Sequence, residues 1–180
     1  MTPRKVAIVG GECTGKTVLC QALAARLPGV WVPEYLREFV ERRGRVPEAG
    51  DQASILAAQI EGEAAATRTA ALAEVRWVAC DSAPIATAIY SEMYFDDRTL
   101  YAAADRHHTG YALTLLTDLD LAWEPDGLQR DGPAIRAEFH ARVQAWLRAH
   151  AAPYALVQGS GETRTASAVA ALLAVESVSR

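Results

Sequence analysis

The chain has 180 residues, 51% hydrophobic and 22% charged, the proportions of a soluble globular protein long enough to bury one substantial core. Its formal net charge is −4 with no basic block to offset it, which argues against nucleic acid as an obligatory partner. No apolar run approaches the ~20 residues of a membrane span, and the N-terminus runs almost directly into a strand pattern rather than a cleavable leader, so a cytoplasmic protein is expected.

Residues 5–9, Lys-Val-Ala-Ile-Val, form an apolar β-branched run that reads as a buried strand, and residues 18–27 repeat their apolar side chains at helical spacing. Between them stands Gly10-Gly11-Glu12-Cys13-Thr14-Gly15-Lys16-Thr17, which fits the phosphate-loop pattern G-x-x-x-x-G-K-[ST] in the strand-to-helix context the pattern requires. Gly10 and Gly15 are expected to take backbone angles closed to other residues, so that successive N–H groups turn inward around phosphate oxygens. The helix start adds unpaired N–H groups and partial positive charge. Lys16 is then expected on the β- and γ-phosphates and the Thr17 hydroxyl on Mg²⁺, with Val18 completing the nucleotide site. The expected ligand is a nucleoside triphosphate.

Pro28 and Gly29 close the first helix, residues 30–32 read as a second strand, and a charged amphipathic helix follows from Pro33 near its start to Gly44 at its end. Residues 45–50 read as a loop and residues 52–73 as an alanine-rich helix. Residues 75–81 make a strand ending in Asp81, and Ser82 and Pro84 open the next helix as N-cap and first-turn residue, to about Met93. A short helix is expected around residues 99–106, a strand at 111–116 and an Asp-, Gly- and Pro-rich loop from Thr117 to Pro133. Ile135, Phe139, Val143, Trp146 and Leu147 mark the core face of a long helix; a fifth strand spans residues 154–158, then a loop and a last helix to about Val178. The expected fold is a single α/β domain, a P-loop NTPase with a five-stranded parallel sheet covered on both faces and a lid over about residues 118–136. Ligands of such sheets lie at the carboxyl ends of the strands, which makes Glu34, Asp81 and the loops after Thr117 and Gln158 neighbours of the phosphate loop.

Cys13, Cys20 and Cys80 have no paired spacing, and the four histidines suggest no metal set. Asp81 stands where phosphate-loop proteins place the carboxylate that holds Mg²⁺. Its neighbour is Ser82 rather than the glutamate that hydrolytic ATPases use to orient water. The loop Thr117-Asp118-Leu119-Asp120 lacks the lysine of a guanine-reading Asn-Lys-x-Asp loop. Phosphoryl transfer to a bound acceptor remains. Glu34 can take the acceptor's proton, or can merely complement a helix start; Arg37, one turn on, faces the same way. Arg130 and Arg136 would supply cations over the transferred phosphate, and Tyr35, Tyr90, Tyr94 and Trp123 are the rings able to stack on a flat acceptor.

The segments G-G-E-x-T-G-K-T, Pro33-Glu34-Tyr35-x-Arg37-Glu38-Phe39, Cys80-Asp81-Ser82 and Trp123-Glu124-Pro125-Asp126-Gly127-Leu128-Gln129-Arg130 together resemble the nicotinamide riboside kinase domain of the NadR family, over about Val6 to Ala174. The phosphate loop is generic; the segments around Glu34 to Phe39 and Trp123 to Leu128 are more distinctive. The resemblance implies ATP-dependent phosphorylation of the ribose 5′-hydroxyl of nicotinamide riboside, a step of NAD biosynthesis. In that reading Glu34 and Asp81 serve the hydroxyl and Mg²⁺, Arg37 the acceptor, and Arg130 and Arg136 the transferred phosphate, while the loop Gly159 to Arg164, with Gly161 in it, borders adenine. The resemblance concerns the kinase part alone, so repressor and adenylyltransferase roles are not carried over. Another nucleoside, a nucleic acid end, or ATP sensing without turnover are the alternative readings.

Overall fold

The computed structural model describes residues 2–124 and 132–178. Its strands are β1 (Arg4–Val9), β2 (Gly29–Val32), β3 (Trp77–Asp81), β4 (Tyr111–Thr117) and β5 (Tyr154–Val157), and its helices α1 (Lys16–Arg26), α2 (Tyr35–Arg43), α3 (Gln52–Leu72), α4 (Pro84–Phe95), α5 (Tyr101–His108), α6 (Pro133–Ala149) and α7 (Gly161–Val178). The strands form one parallel sheet in the order β2-β3-β1-β4-β5. This is the α/β fold expected of a phosphate-loop protein.

β1 lies at the centre because it is apolar on both faces. Ala7 and Val9 pack with Val78, Ile85, Phe139 and Leu147 on one side, and Val6 and Ile8 with Leu19, Leu23, Leu115 and Leu172 on the other. These four of the six β1 residues are fully buried, so Ile8→Ala would cost about 2–5 kcal/mol through lost burial and a residual cavity. Because β1 is flanked by β3 and β4, the loops at the carboxyl ends of β1, β3 and β4 converge at the centre of one sheet edge, the place where open parallel sheets bind ligands.

Several boundaries differ from the sequence pattern. α1 starts at Lys16, immediately after Gly15 in the left-handed region (φ 75°). Pro33 and Glu34 stay outside α2: Glu34 is extended, and its carboxylate makes no capping bond. Ser82 is not the cap of α4. Ala83 is, with extended backbone (φ −96°, ψ 155°), because the ring of Pro84 disfavours helical angles in the residue before it. The segment before α3 holds a 3-10 turn, Ala49–Asp51, closed by reciprocal bonds between Glu48 and Asp51. α5 begins at Tyr101 rather than Thr99, whose N–H is taken by the Asp97 carboxylate at 2.8 Å. Among the described residues no helix is long and apolar enough to cross a membrane.

Candidate active site

The phosphate loop is fixed from below and open above. Thr14, fully buried, donates its hydroxyl to Gly11 O at 2.8 Å, and the fully buried Thr117 at the end of β4 donates to the Thr14 hydroxyl at 2.7 Å. Gly10 is required for space rather than for an unusual φ, a correction to the expectation from sequence: a Cβ there would lie 2.0 Å from Thr117 Oγ1, whereas Gly15 does occupy the left-handed region. Gly11 likewise has no room for a Cβ, which would meet Arg136 Cγ at 2.7 Å. Cys13 takes a left-handed conformation without being glycine (φ 53°). Among the described residues, the N–H groups of Lys16, Thr17 and Val18 find no backbone acceptor, as the first turn of a helix dictates. Together with Lys16, whose Nζ rests on Gly11 O at 3.1 Å, they form a cradle for an anion.

At the edge of this cradle the Thr17 hydroxyl donates to Asp81 Oδ2 at 2.5 Å. Asp81 is 1% exposed, and its other oxygen, Oδ1, is buried with no hydrogen-bond partner among the described residues. A buried, unsatisfied carboxylate oxygen beside a hydroxyl is a donor set suited to a hard divalent cation such as Mg²⁺.

From the phosphate loop a cavity of about 430 Å³ runs between α2, α3 and α4. Its inner end is formed by Gly10, Glu12, Cys13 and Lys16, its polar wall by Glu34, Arg37, Gln52, Gln59, Ser82 and Thr87, and its apolar wall by Ile55, Ala86, Tyr90, Tyr94 and Phe139. Burial raises the Glu34 carboxyl above its ordinary value; the positive charge of Lys16 opposes this, Asp81 adds to it, Arg37 opposes it and Glu12 adds. The rings of Tyr90 and Phe139 stack at 4.2 Å and 11°, with Tyr94 stacked outside Tyr90 at 5.8 Å and 7°.

The cavity thus gathers Gly10, Glu12, Cys13, Lys16, Glu34, Arg37 and Tyr94 of the sequence candidates, with Gly11, Thr14, Gly15, Thr17 and Asp81 directly behind them. Others stand elsewhere. Tyr35 faces a separate groove of about 170 Å³ beside Trp31 and Glu38. Trp123 lies over the phosphate loop, its indole N–H donating to Glu12 Oε2 at 3.2 Å. Arg136, 5% exposed in the first turn of α6, packs against Gly11 and donates to Leu121 O at 2.8 Å. Val18 is largely exposed on α1. Gly161 opens α7, and Arg164, 3% exposed, donates to Val157 O, Gly159 O and the Asp120 carboxylate, tying the loop after β5 to the loop after β4. Arg130 lies outside the described residues.

An AAA-domain family matches residues 5–164 of the chain. The chain belongs to this AAA-domain family. Two solved NadR structures, one in complex with NAD and AMP-PNP and one with NR, share the fold with TM-scores of 0.76 and 0.75 at 19% and 20% identity, each over 97% of this chain. This chain spans about half the length of those proteins, 49% and 52%. A deoxyadenosine kinase from M. mycoides, bound to dCMP and dCDP, matches with a TM-score of 0.60 at 12% identity, over 96% of this chain and 99% of its own. No curated protein matches by sequence.

Among the cavity residues that sequence reasoning missed, Gln52, Gln59 and Phe139 are the most informative. Gln52 and Gln59 lie seven residues apart on α3, on the same face as the buried Ile55, Leu56 and Glu63. Polar residues recurring on the apolar stripe of an alanine-rich helix were the available signal. Phe139 was read only as core; it is that, at 1% exposure, and it is also cavity wall.

Proposed function

We propose that this AAA domain is an ATP- and Mg²⁺-dependent kinase for a small nucleoside-like acceptor, with nicotinamide riboside the favoured one and nicotinamide mononucleotide the product. The observation that carries the proposal is one cavity that joins the phosphate loop, the raised carboxyl of Glu34 and a wall of stacked rings. A loop of this kind orients the triphosphate, and a carboxylate across the cavity has no use in phosphate binding but suits an acceptor hydroxyl. Glu34 accepts the hydroxyl proton as that oxygen bonds to the γ-phosphorus; the bond from the γ-phosphorus to the β,γ-bridging oxygen breaks and ADP departs. Lys16 and the N–H groups at the start of α1 hold the charge that develops on the phosphoryl oxygens. Thr17 and Asp81 would hold Mg²⁺, which when bound neutralises charge on the β- and γ-phosphates. Tyr94, the outer ring of the stack built on Tyr90 and Phe139, presents a flat apolar face to an acceptor ring, and Arg37 stands at the same cavity for the acceptor's polar groups.

NadR in complex with NR supports this acceptor, and deoxyadenosine kinase supports a nucleoside acceptor more generally. The test is incubation of the protein with ATP, Mg²⁺ and nicotinamide riboside, following ADP and nicotinamide mononucleotide by mass. Stoichiometric product, lost in Lys16→Ala, is expected. Tight ATP binding without product would overturn this acceptor, and transfer to none of a panel of nucleosides would overturn the kinase reading.

A further inference from the structure

The sheet ends unevenly beside the cavity. β2 and β3 pair in parallel register as far as Val32 opposite Cys80. The residue that follows β2 is Pro33, which has no N–H to continue the ladder. Beyond this point the two chains part, one carrying Glu34 into α2 and the other carrying Asp81 and Ser82 towards α4. The two carboxylates on which the proposed reaction depends therefore sit on segments that the backbone no longer ties together.

Gln59 of α3 spans this gap. Its side-chain oxygen accepts the Tyr35 N–H at 2.8 Å, and its amide nitrogen donates to Ser82 O at 3.2 Å and to Asp81 O at 3.4 Å. The amide has one possible orientation, since Tyr35 N offers only a donor and the two carbonyls offer only acceptors. The residue is 5% exposed and borders both the main cavity and the groove behind it. A buried amide satisfied on both its donor and acceptor sides is rigid, and removing one side leaves the other groups unpaired.

We infer that Gln59 is a positioning residue: a side-chain rung added to the β2–β3 ladder that fixes Glu34 at a set distance and orientation from Asp81. This inference rests on the kinase reading for its catalytic consequence, but not for the brace itself. Gln59 touches neither the phosphate loop nor, through these bonds, the acceptor. Its loss is therefore expected to lower kcat while leaving the affinity for ATP in place.

Two variants test it, with hydrogen–deuterium exchange and steady-state kinetics measured on each full-length protein. In Gln59→Leu, which keeps the volume, the Tyr35 amide is expected to exchange about tenfold faster or more. The kcat per ATP-binding site is expected to fall about 10- to 100-fold, the effect of misplacing a reacting group by about an ångström. The KM for ATP stays within about twofold, since no contact to the phosphate loop is lost. Gln59→Glu keeps an acceptor for Tyr35 and loses the donor, so residues 33–37 stay protected while residues 81–84 exchange faster. A role in stability alone would lower the melting temperature and leave kcat per ATP-binding site unchanged. Unchanged exchange at Tyr35 in Gln59→Leu overturns the brace, with or without an acceptor in hand. Faster exchange with unchanged kcat overturns its role in positioning. Faster exchange at Tyr35 in Gln59→Leu, alongside a wild type that phosphorylates no nucleoside, supports the brace and overturns the kinase reading instead.

Discussion

The carboxylate of Asp81 is divided in its duties: Oδ2 accepts the Thr17 hydroxyl at 2.5 Å, and Oδ1 is buried with no partner among the described residues. Leaving a buried carboxylate oxygen unpaired costs about 1–3 kcal/mol, and a cation bridging Thr17 and Asp81 removes that cost. Asp81→Asn should therefore weaken the effect of Mg²⁺ while sparing ATP binding itself, which rests on the loop amides and Lys16. Calorimetric titration of ATP with and without Mg²⁺ checks this: the affinity gain from Mg²⁺ in the wild type is expected to vanish in the variant, and kcat to fall about 10²- to 10³-fold through lost charge stabilisation. An undiminished Mg²⁺ effect would move the metal elsewhere.

Glu34 carries the pH dependence of the proposed transfer. Burial and the nearby Asp81 raise its carboxyl above the ordinary value, against the opposing charges of Lys16 and Arg37. A base acts when deprotonated, so kcat/KM should fall as the pH is lowered through a value above the usual carboxylate range. Glu34→Gln should remove this acid limb and cost about 10²- to 10⁴-fold in kcat, the range for loss of a general base. A profile with the same acid limb in the variant would assign the proton transfer to another group.

The strands and the phosphate loop were legible because each is a local pattern: an apolar β-branched run for residues 5–9, and fixed glycine, lysine and threonine spacing for residues 10–17. Glu34 and Asp81 were legible for a different reason, since each stands at the end of a strand in a parallel sheet. Gln59 was not, because its role depends on where α3 lies across the ends of β2 and β3, and its own neighbours spell only an alanine-rich helix. Gly10 was assigned the wrong need, conformational freedom in place of room for Thr117, because a sequence shows spacing but not approach. Trp123, in the loop after β4, and Arg164, in the first turn of α7, are held by Glu12 and by Asp120 in contacts that join segments more than 40 residues apart.

Glu63 anchors the opposite end of the sheet. Fully buried on α3, it receives hydrogen bonds from Lys5 at 3.2 Å and from the Tyr111 hydroxyl at 2.7 Å, and lies 2.7 Å from His107 Nε2. Burial raises its carboxyl, but His107, Lys5 and Tyr111 outweigh that and hold it below the ordinary value. A depressed carboxylate stabilises the fold above its unfolded-state pKa, and this contribution is lost as the pH falls through the folded-state value. Glu63→Leu leaves Lys5 without its counter-charge and should cost about 3 kcal/mol at neutral pH, read from the urea midpoint. The loss should narrow towards acid pH. Because Lys5 and Tyr111 lie at the starts of their strands and the phosphate loop at the ends, kcat of the folded variant should stay near that of the wild type.

His108 contributes acid sensitivity of its own at a higher pH. It is 6% exposed, packed edge-on against Tyr111 and Trp146, with Nε2 2.9 Å from the Thr114 hydroxyl and Nδ1 without a partner among the described residues. Burial lowers its pKa to about 4; the charge of Glu63 opposes this, and His107, His150 and Lys5 add to it. The unfolded chain therefore binds a proton that the folded chain refuses between roughly pH 6.5 and pH 4, and stability must fall as the pH drops through that window. Between about pH 7 and pH 5 the loss amounts to about 2 kcal/mol. His140, lowered chiefly by burial as well, adds in the same direction. Denaturant midpoints across this range check the assignment: His108→Leu should remove about 2 kcal/mol of the pH-dependent loss and leave the part due to His140, whereas a slope identical to the wild type would show that His108 takes up its proton without unfolding.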